Sequence, residues 1–440
     1  MIFFAKRPAL ALIMSFGAAI AIGTFLLLLP ASTPESSGIS FIDALFTATS
    51  ATCVTGLIVR STASGFTLFG KTVILMLIQL GGLGLMTFSV SLFLTFGKKI
   101  SKTQEVLLRD ALNEDSIRSA REILNFLLLF TFGAEILGAG FLFFSFRQFY
   151  SAGEALKMAV FHSVSAFCNA GFSLIDSSIS LFAASPGAIM IFSLLIILGG
   201  IGFVVLLDMF NRLSGKKKRF KIHTRLAVGV TAALLLCGTL FFYAGERNNT
   251  LKSMANGEKW LNAFFLSVTA RTAGFNSVDT SALKPFSKFT AAALMFVGAS
   301  PGGTGGGVKT VTFAIILLMA INHIRQHGEI NVGGRTIPPF FERRATAIIV
   351  YAVFIIISAC GILLYTETFP FEDIIFEVIS AFGTVGLSAG VTPQLGKISK
   401  CVLIAVMFMG RLGPLTIALA AVRQKRRLDI SYANERVLLG

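Results

Sequence analysis

The sequence predicts an all-α membrane protein in which eight transmembrane helices form four pseudo-fourfold helix, pore-loop, helix repeats around one central pore. Of its 440 residues, 54% are hydrophobic and only 14% are charged, which leaves too little polar surface for a water-soluble globule. Apolar stretches long enough to cross a hydrocarbon core of about 30 Å recur along the chain. A motif that ends in glycine returns four times between them.

Eight apolar stretches are the predicted spans. If Lys6 and Arg7 are cytoplasmic, most of the 38 Lys and Arg fall on inner segments, which is the positive-inside pattern. We therefore expect a multi-pass protein of the cell membrane, embedded in the lipid bilayer with both termini cytoplasmic. The spans, of which the sixth is interrupted, lie at residues 9–29, 68–96, 122–146, 187–209, 226–244, 288–321, 345–364 and 398–421.

The net charge of +16 does not indicate a nucleic-acid partner, because the excess is concentrated on the inner segments. The basic runs at 216–219 and 423–427 are expected to set topology and to contact lipid headgroups, with docking of a cytosolic partner as the alternative. Lys6 and Arg7 before an apolar run resemble a signal peptide. The run extends to Leu29 and the same unit recurs, which favours a retained helix.

Catalytic and structural metal chemistry are not expected. Five cysteines and four histidines contain no CxxC or HExxH pattern, so neither a resident metal site nor a disulfide framework is predicted. The ionisable residues predicted inside spans, Glu135, Lys309 and Arg411, form no converging catalytic set. We expect neither an enzyme nor an organic cofactor.

Between paired spans lies an apolar segment that reads as a half-helix followed by a turn. Each has an acidic residue near its start, where the positive end of the helix dipole favours a negative charge. Self-similarity of this kind indicates internal duplication. It divides the chain into repeats at 1–97, 98–212, 213–324 and 325–422, followed by a cytoplasmic tail at 423–440.

The turns are the candidate ion-binding sites. Non-helical backbone at membrane depth must be buried in protein or line water, and the partially negative end of a half-helix favours a cation. Glycine lets carbonyl oxygens turn inward to replace hydration water. One such glycine alone would indicate helix packing, but four in register predict a filter. The candidate residues are Val54, Thr55, Gly56, Asn169, Ala170, Gly171, Thr272, Ala273, Gly274, Thr384, Val385 and Gly386.

The interruption in the third repeat is a candidate gate. Its glycines and proline cannot sustain a helix, and a phosphate-binding P-loop is excluded because Val308 separates Gly307 from Lys309. We expect a loop beneath the filter that opens and closes the path, with a packing defect as the alternative. The candidate gate residues are Gly298, Ala299, Ser300, Pro301, Gly302, Gly303, Thr304, Gly305, Gly306, Gly307, Lys309 and Arg411.

Four side chains near this gate carry specific expectations. Ser300 and Thr304 are expected to hydrogen-bond to neighbouring helices. A charge such as Arg411 costs about 2.5 kcal/mol or more at mid-membrane unless it is paired or faces a cavity. We expect it to face the pore or hold the loop; alternatively, it binds helix-end carbonyls or Glu135. Lys309 is expected to snorkel toward the cytoplasm.

These motifs together resemble the superfamily of Trk, Ktr and HKT potassium transporters, and most closely the Ktr membrane subunits. Trk-type members usually carry two further helices before the first repeat, which this sequence does not show. The resemblance covers essentially the whole chain, including a tail at 432–440. The segments that carry it are 48–57, 169–173, 271–276, 298–309, 380–388 and 410–414.

The resemblance implies potassium transport by a homodimer with one pore per protomer, a single-glycine filter in each repeat and an intramembrane gate loop. It also implies a cytosolic ring of RCK-type regulatory subunits controlled by ATP and ADP. Glycine at all four filter positions favours potassium over sodium as the transported ion, and sodium as an additional ion stays open. The alternatives are a sodium-coupled secondary transporter of another solute and a less selective monovalent cation channel.

Overall fold

The computed structural model describes residues 8–34, 38–84, 117–215, 219–326 and 329–413, and this part of the chain is mainly helical. A two-stranded antiparallel hairpin, β1 (Ile330–Val332) and β2 (Arg335–Ile337), is the sheet that it contains. The helices are α1 (Pro8–Leu28), α2 (Phe41–Thr52), α3 (Thr62–Gly65), α4 (Leu68–Leu83), α5 (Ile117–Phe146), α6 (Ala152–Phe167), α7 (Pro186–Gly200), α8 (Phe203–Leu213), α9 (Ile222–Glu246), α10 (Asn256–Thr269), α11 (Pro285–Phe296), α12 (Thr310–Ile324), α13 (Pro339–Thr366), α14 (Phe371–Gly383) and α15 (Lys397–Leu412).

Several of these helices have the length and composition of membrane spans. Within the described ranges, Leu124–Phe146, Ile222–Glu246 and Pro339–Thr366 are each long and apolar enough to cross a bilayer. The shorter helices α1, α4 and α12 are also apolar. Many large apolar side chains on them are exposed, among them Leu129 and Phe354, as expected for surfaces that face lipid. The helices are consistent with a multi-pass membrane protein.

The structure forms a short helix at each of the four predicted half-helix positions: α2, α6, α10 and α14. Local capping explains where they begin. The hydroxyl of Ser40 accepts the backbone N–H of Asp43, and the hydroxyl of Ser151 accepts that of Glu154. In α10 the carboxylate of Glu258 accepts the N–H of Ala255. These interactions satisfy N–H groups that the first turn of a helix leaves unpaired.

The predicted continuous span at 187–209 is wrong. The chain breaks after Gly200, and α8 leaves α7 at an angle of 99°. Gly202 between them has a φ of 89°, in the region that glycine adopts far more readily than other residues. A count of apolar residues does not detect this break, because the residues around Gly200 and Gly202 are apolar enough to be counted as one continuous span.

Two other helices in predicted spans also end before a glycine with positive φ. Helix α4 ends before Gly84, whose φ is 75°, and α15 ends before Gly413, whose φ is 85°. The sequence predicted helix up to residues 96 and 421, and the remainder of both spans lies outside the described residues. The predicted interruption of the sixth span is confirmed, since α11 ends at Phe296 and α12 begins at Thr310.

Glycines near the ends of α4, α7 and α15 allow these helices to lie directly against the half-helices. A methyl group built at Gly81, Gly199 or Gly410 would overlap a carbonyl oxygen at the last residues of a half-helix. Glycine at these three positions therefore has a packing cause. The carbonyls concerned belong to Thr52, Phe167 and Phe382 respectively.

The extent of the described chain determines which other features of the sequence can be placed. All five cysteines lie in it, and each of them is free. The predicted topology signals Lys6, Arg7 and Arg423–Arg427 lie outside the described residues, as do residues 216–218 and the tail at 423–440.

Candidate functional site

The four glycines of the candidate filter lie in a closed ring. A methyl group built at Gly56 would lie 2.5 Å from a carbonyl oxygen of the next repeat, and one built at Gly171 would lie 2.8 Å from the equivalent oxygen. The other two approaches are closer still. The fourth segment contacts the first, so the four segments form a closed ring. The contacts join Gly56 to Ala170, Gly171 to Ala273, Gly274 to Val385 and Gly386 to Thr55.

The four filter segments share one backbone conformation. In every repeat the first residue and the glycine both have positive φ. Three of the first residues are β-branched, for which positive φ is a genuine outlier. Strained backbone repeated four times at one ring indicates a functional constraint. The φ values are 57° for Val54, 58° for Asn169, 74° for Thr272, 49° for Thr384, 90° for Gly56, 68° for Gly171, 76° for Gly274 and 90° for Gly386.

Hydroxyl residues that the sequence analysis missed brace these segments from the half-helices. The backbone carbonyl of each of these hydroxyl residues accepts the N–H of the middle filter residue in its own repeat, at 2.7 to 3.0 Å. Three of their hydroxyls also donate to the carbonyl that follows the filter glycine, and the fourth accepts the N–H of Gly386. A serine or threonine five or six residues before each glycine was the available signal. The residues are Ser50, Ser165, Thr269 and Ser380.

The carbonyl oxygens of the filter segments are unused by the protein. Within the described part of the chain, none of the filter residues accepts a hydrogen bond on its backbone carbonyl. The residues are buried, apart from partial exposure of Gly171 and Gly386. Buried carbonyls are normally paired, so a ring of unpaired ones at a shared axis is suited to coordinating a dehydrated cation.

The glycine-rich loop, residues 298–307, lies directly against this ring. The backbone N–H of Gly306 donates to the hydroxyl of Thr384 at 2.9 Å. A methyl group at Gly305 would overlap the hydroxyl of Thr272. The base of the loop is closed where Gly298 N–H donates to the carbonyl of Val308 at 2.9 Å. The loop therefore contacts the first filter residues of the third and fourth repeats.

The break between α7 and α8 provides the other wall for the loop. The N–H groups of Ser300 and Thr304 donate to the last carbonyls of α7, those of Gly200 and Gly199, at 3.0 and 3.1 Å. The Thr304 hydroxyl donates to the carbonyl of Phe167, at the end of a half-helix, at 3.3 Å. The Ser300 hydroxyl bonds to that of Thr310 at 2.9 Å. The expected helix contacts of Ser300 and Thr304 are confirmed.

Two cationic side chains that the sequence analysis singled out bind loop carbonyls. The guanidinium of Arg411 donates to the carbonyl of Thr304, which agrees with a loop-holding position, and to that of Gly81 at the end of α4, which agrees with the alternative of a helix-end carbonyl. Glu135 bonds instead to the side-chain amide of Gln79 at 3.0 Å. The expectation that Lys309 snorkels toward the cytoplasm is wrong, because its ammonium turns back onto the carbonyl of Gly305.

A third cation, Arg271, was not singled out for a role. It lies immediately before filter residue Thr272 and is 7% exposed. Its guanidinium donates to the carbonyl of Gly298, the first residue of the loop, at 3.1 Å, and to that of Thr231 at 3.4 Å. A basic residue inside an otherwise apolar motif was the signal for it. Arg271 links the filter segment of the third repeat to the start of the loop.

Comparisons with known proteins place the chain in a family. Residues 3–427 match the TrkH family, described as cation transport proteins. The crystal structure of the potassium transporter TrkH from Vibrio parahaemolyticus shares the fold, with a TM-score of 0.76 at 19% identity over 95% of this chain and 85% of that chain.

Similar proteins include the Ktr system potassium uptake protein B of Bacillus subtilis (strain 168), which is 39% identical over 98% of this chain and 97% of its own length. The protein of that name from Vibrio alginolyticus is 40% identical over 92% of this chain and 89% of its own. The potassium/sodium uptake protein NtpJ of Enterococcus hirae is 36% identical over 95% and 94%. These matches support a transporter rather than an enzyme, and the chain belongs to the TrkH family of cation transport proteins.

Proposed function

We propose that this chain takes up potassium ions across the cell membrane through a filter of backbone carbonyls. The observation that carries the proposal is the closed ring in which Gly56, Gly171, Gly274 and Gly386 each lie against a carbonyl of the next repeat. Relatives named as potassium uptake proteins, similar over nearly their whole length, support the choice of ion.

The mechanism needs no charged side chain in the filter. A potassium ion loses hydration water as it enters the ring, and the unpaired carbonyls replace that water. The half-helices that end at the ring add partial negative charge at their C-termini. The membrane potential supplies about 2.3 kcal/mol per ion per 100 mV, which favours uptake of a cation without coupling to another solute.

The proposed architecture has eight spans in four repeats, at 1–97, 98–212, 213–324 and 325–422, with both termini and the tail at 423–440 in the cytoplasm. In the described residues, helices α1, α5, α9 and α13 are the first spans of the repeats. Helices α4, α7 and α15, and the interrupted pair α11 and α12, belong to the second spans. The support is that each pair encloses one half-helix and one filter segment.

The glycine-rich loop is the proposed gate, with Lys309 and Arg411 as its anchors. Its contacts with Thr272 and Thr384 support this proposal, in which the loop obstructs the path next to the filter. Arg411 and Lys309 bind the carbonyls of Thr304 and Gly305 inside the loop. Release of these contacts would let the loop move away from the filter.

The proposal includes partners and a second ion. The family resemblance supports a homodimer and a cytosolic RCK-type ring that binds ATP or ADP, and relatives named as parts of a Ktr system indicate further components. The relative named a potassium/sodium uptake protein supports sodium as an additional ion. A less selective monovalent cation channel and a sodium-coupled transporter of another solute are the competing functions.

Reconstitution separates these functions. We would measure potassium and sodium flux in liposomes for the wild type, Gly56→Ser and the control Gly140→Ser, whose position has open space around it. The proposal predicts potassium-selective flux that Gly56→Ser degrades and Gly140→Ser leaves intact. Equal potassium and sodium flux would favour the less selective channel. Potassium flux that requires sodium and another solute would favour the coupled transporter.

A further inference from the structure

Two buried side chains hold the chain just beyond the filter in the same way. In the second repeat, Nε2 of His162 accepts the hydroxyl of Ser173 at 2.9 Å and the N–H of Leu174 at 3.4 Å. In the fourth repeat, Oε1 of Glu377 accepts the hydroxyl of Ser388, and the N–H of Ala389 at 3.1 Å. An imidazole and a carboxylate thus accept equivalent hydrogen bonds from the chain after the filter glycine.

The register of these bonds is identical in the two repeats. Each acceptor lies nine residues before the filter glycine, and each serine lies two residues after it. Each serine oxygen also accepts the N–H two residues further on, from Ile175 at 3.0 Å and from Gly390 at 2.9 Å. A shared set of three hydrogen bonds in repeats of different sequence indicates a shared role.

Among the described residues, the first and third repeats do not contain this set of three hydrogen bonds. Their residues at the acceptor position are Thr47 and Phe265. The hydroxyl of Thr47 donates within its own helix, to the carbonyl of Asp43 at 2.8 Å. Because the ring contacts run from each repeat to the next, the second and fourth repeats face each other across the axis. The set of three hydrogen bonds therefore occurs in two opposite repeats of the four that form the filter.

The hydrogen bonds of the His162 imidazole determine which of its nitrogens is the acceptor. Its Nδ1 lies 2.8 Å from the carbonyl of Met158, which can only accept, so Nδ1 carries the proton and Nε2 is the acceptor. The side chain is fully buried and contacts the rings of Phe146, Phe192 and Phe275. Phe275 directly follows filter residue Gly274, so His162 also contacts the next filter segment.

Glu377 is fully buried as well. Its second oxygen accepts the hydroxyl of Thr392 at 2.7 Å. A buried carboxylate is costly without such donors, so the chain after Gly386 is held tightly to the half-helix α14.

We propose that His162 and Glu377 are positioning residues that fix the ends of two opposite filter segments and thereby set the discrimination between potassium and sodium. The inference rests on the proposed function. Selectivity by carbonyls depends on the arrangement and freedom of the oxygens around the ion. Anchoring the chain two residues beyond Gly171 and Gly386 limits how far the adjacent carbonyls can close around a smaller ion.

The test is the ratio of potassium to sodium flux in liposomes. His162→Phe keeps an aromatic ring among its aromatic neighbours and removes the acceptor, whereas Glu377→Leu removes both carboxylate oxygens. Each is expected to lower the ratio by at least about fivefold, because each removes two or more hydrogen bonds and the loss of one of ordinary net strength corresponds to about fivefold. Glu377→Gln retains an oxygen for Ser388 and Ala389, and is expected to preserve the ratio. Thr47→Val, the matched position in the first repeat, is the control.

A double variant, Ser173→Ala with Ser388→Ala, removes only two hydroxyls and guards against misfolding of the larger changes. A lowered ratio in this variant, with potassium flux retained, supports the inference. An unchanged ratio, or a loss of total flux at constant ratio, overturns it and indicates a purely structural role. A wild type without potassium preference would overturn the proposed function itself, which is a distinct result.

Discussion

The backbone N–H of Gly306 donates a hydrogen bond to the side-chain hydroxyl of Thr384 at 2.9 Å. Gly306 belongs to the glycine-rich loop and Thr384 is the first residue of the fourth filter segment. The proposed gate and the proposed filter are therefore joined by direct contact. Any displacement of the loop from the path must break this bond. A substitution that removes the Thr384 hydroxyl removes a contact that holds the loop.

Replacing Thr384 with valine should loosen the gate. Valine keeps the β-branched shape and removes the hydroxyl, so the N–H of Gly306 loses its acceptor. Losing about 1 kcal/mol of closed-state stability corresponds to a rise of about fivefold in basal potassium flux. Flux from liposomes without added partner measures it. Thr239→Val is the control, since that hydroxyl donates only within α9; equal flux in both variants would contradict a gating role for this bond.

Arg411→Lys should also raise basal flux. The guanidinium of Arg411 reaches two carbonyls at once, those of Thr304 and Gly81. A lysine ammonium keeps the charge but lacks the planar fork that makes paired hydrogen bonds. The expected increase is several-fold, measured against Arg147→Lys, whose guanidinium bonds to an exposed turn. Flux at the wild-type level in Arg411→Lys would mean that the loop does not depend on this anchor.

Gly199→Ala should destabilise the fold while Gly187→Ala on the same helix should not. A methyl group at Gly199 would overlap the carbonyl oxygen of Phe167, whereas Gly187 has open space around it. Overpacking of this kind costs about 1–3 kcal/mol. Melting temperatures in detergent compare the two variants. Equal melting temperatures would show that α7 does not need its close approach to the half-helix α6.

Gly274→Ala should weaken potassium binding. The substituted methyl group would overlap the carbonyl oxygen of Val385, and the φ of 76° at Gly274 disfavours a side chain by about 1–2 kcal/mol. Together these effects predict an affinity lower by about tenfold or more, measured by calorimetric titration with potassium. Gly229→Ala in the same repeat is the control, because nothing lies near that position. Unaltered affinity in Gly274→Ala would contradict a role for the ring in binding.

The sequence predicted the half-helices and their glycines because the pattern is local and occurs four times. An acidic residue, an apolar run and a glycine specify each unit without knowledge of its neighbours. The contact between Gly386 and Thr55 is different in kind. It joins the last repeat to the first, and only the folded chain shows that the ring closes.

The remaining features depend on contacts that a sequence pattern does not reveal. Serine is too common in apolar helices for Ser50 to be recognised as a brace. The break at Gly202 was missed because hydropathy counts side chains and ignores backbone angles. Lys309 has a long flexible side chain, and its direction was decided by a carbonyl of the glycine-rich loop, at Gly305.

The central claim, that the four glycines surround a potassium site, is tested most directly by locating the ion. Crystals of the protein grown with thallium(I), a potassium analogue with strong anomalous scattering, would show where a monovalent cation binds. The account predicts an anomalous peak on the ring axis, within coordinating distance of the carbonyls of Thr55, Ala170, Ala273 and Val385. Thallium bound elsewhere, with none on this axis in protein that transports potassium, would contradict it.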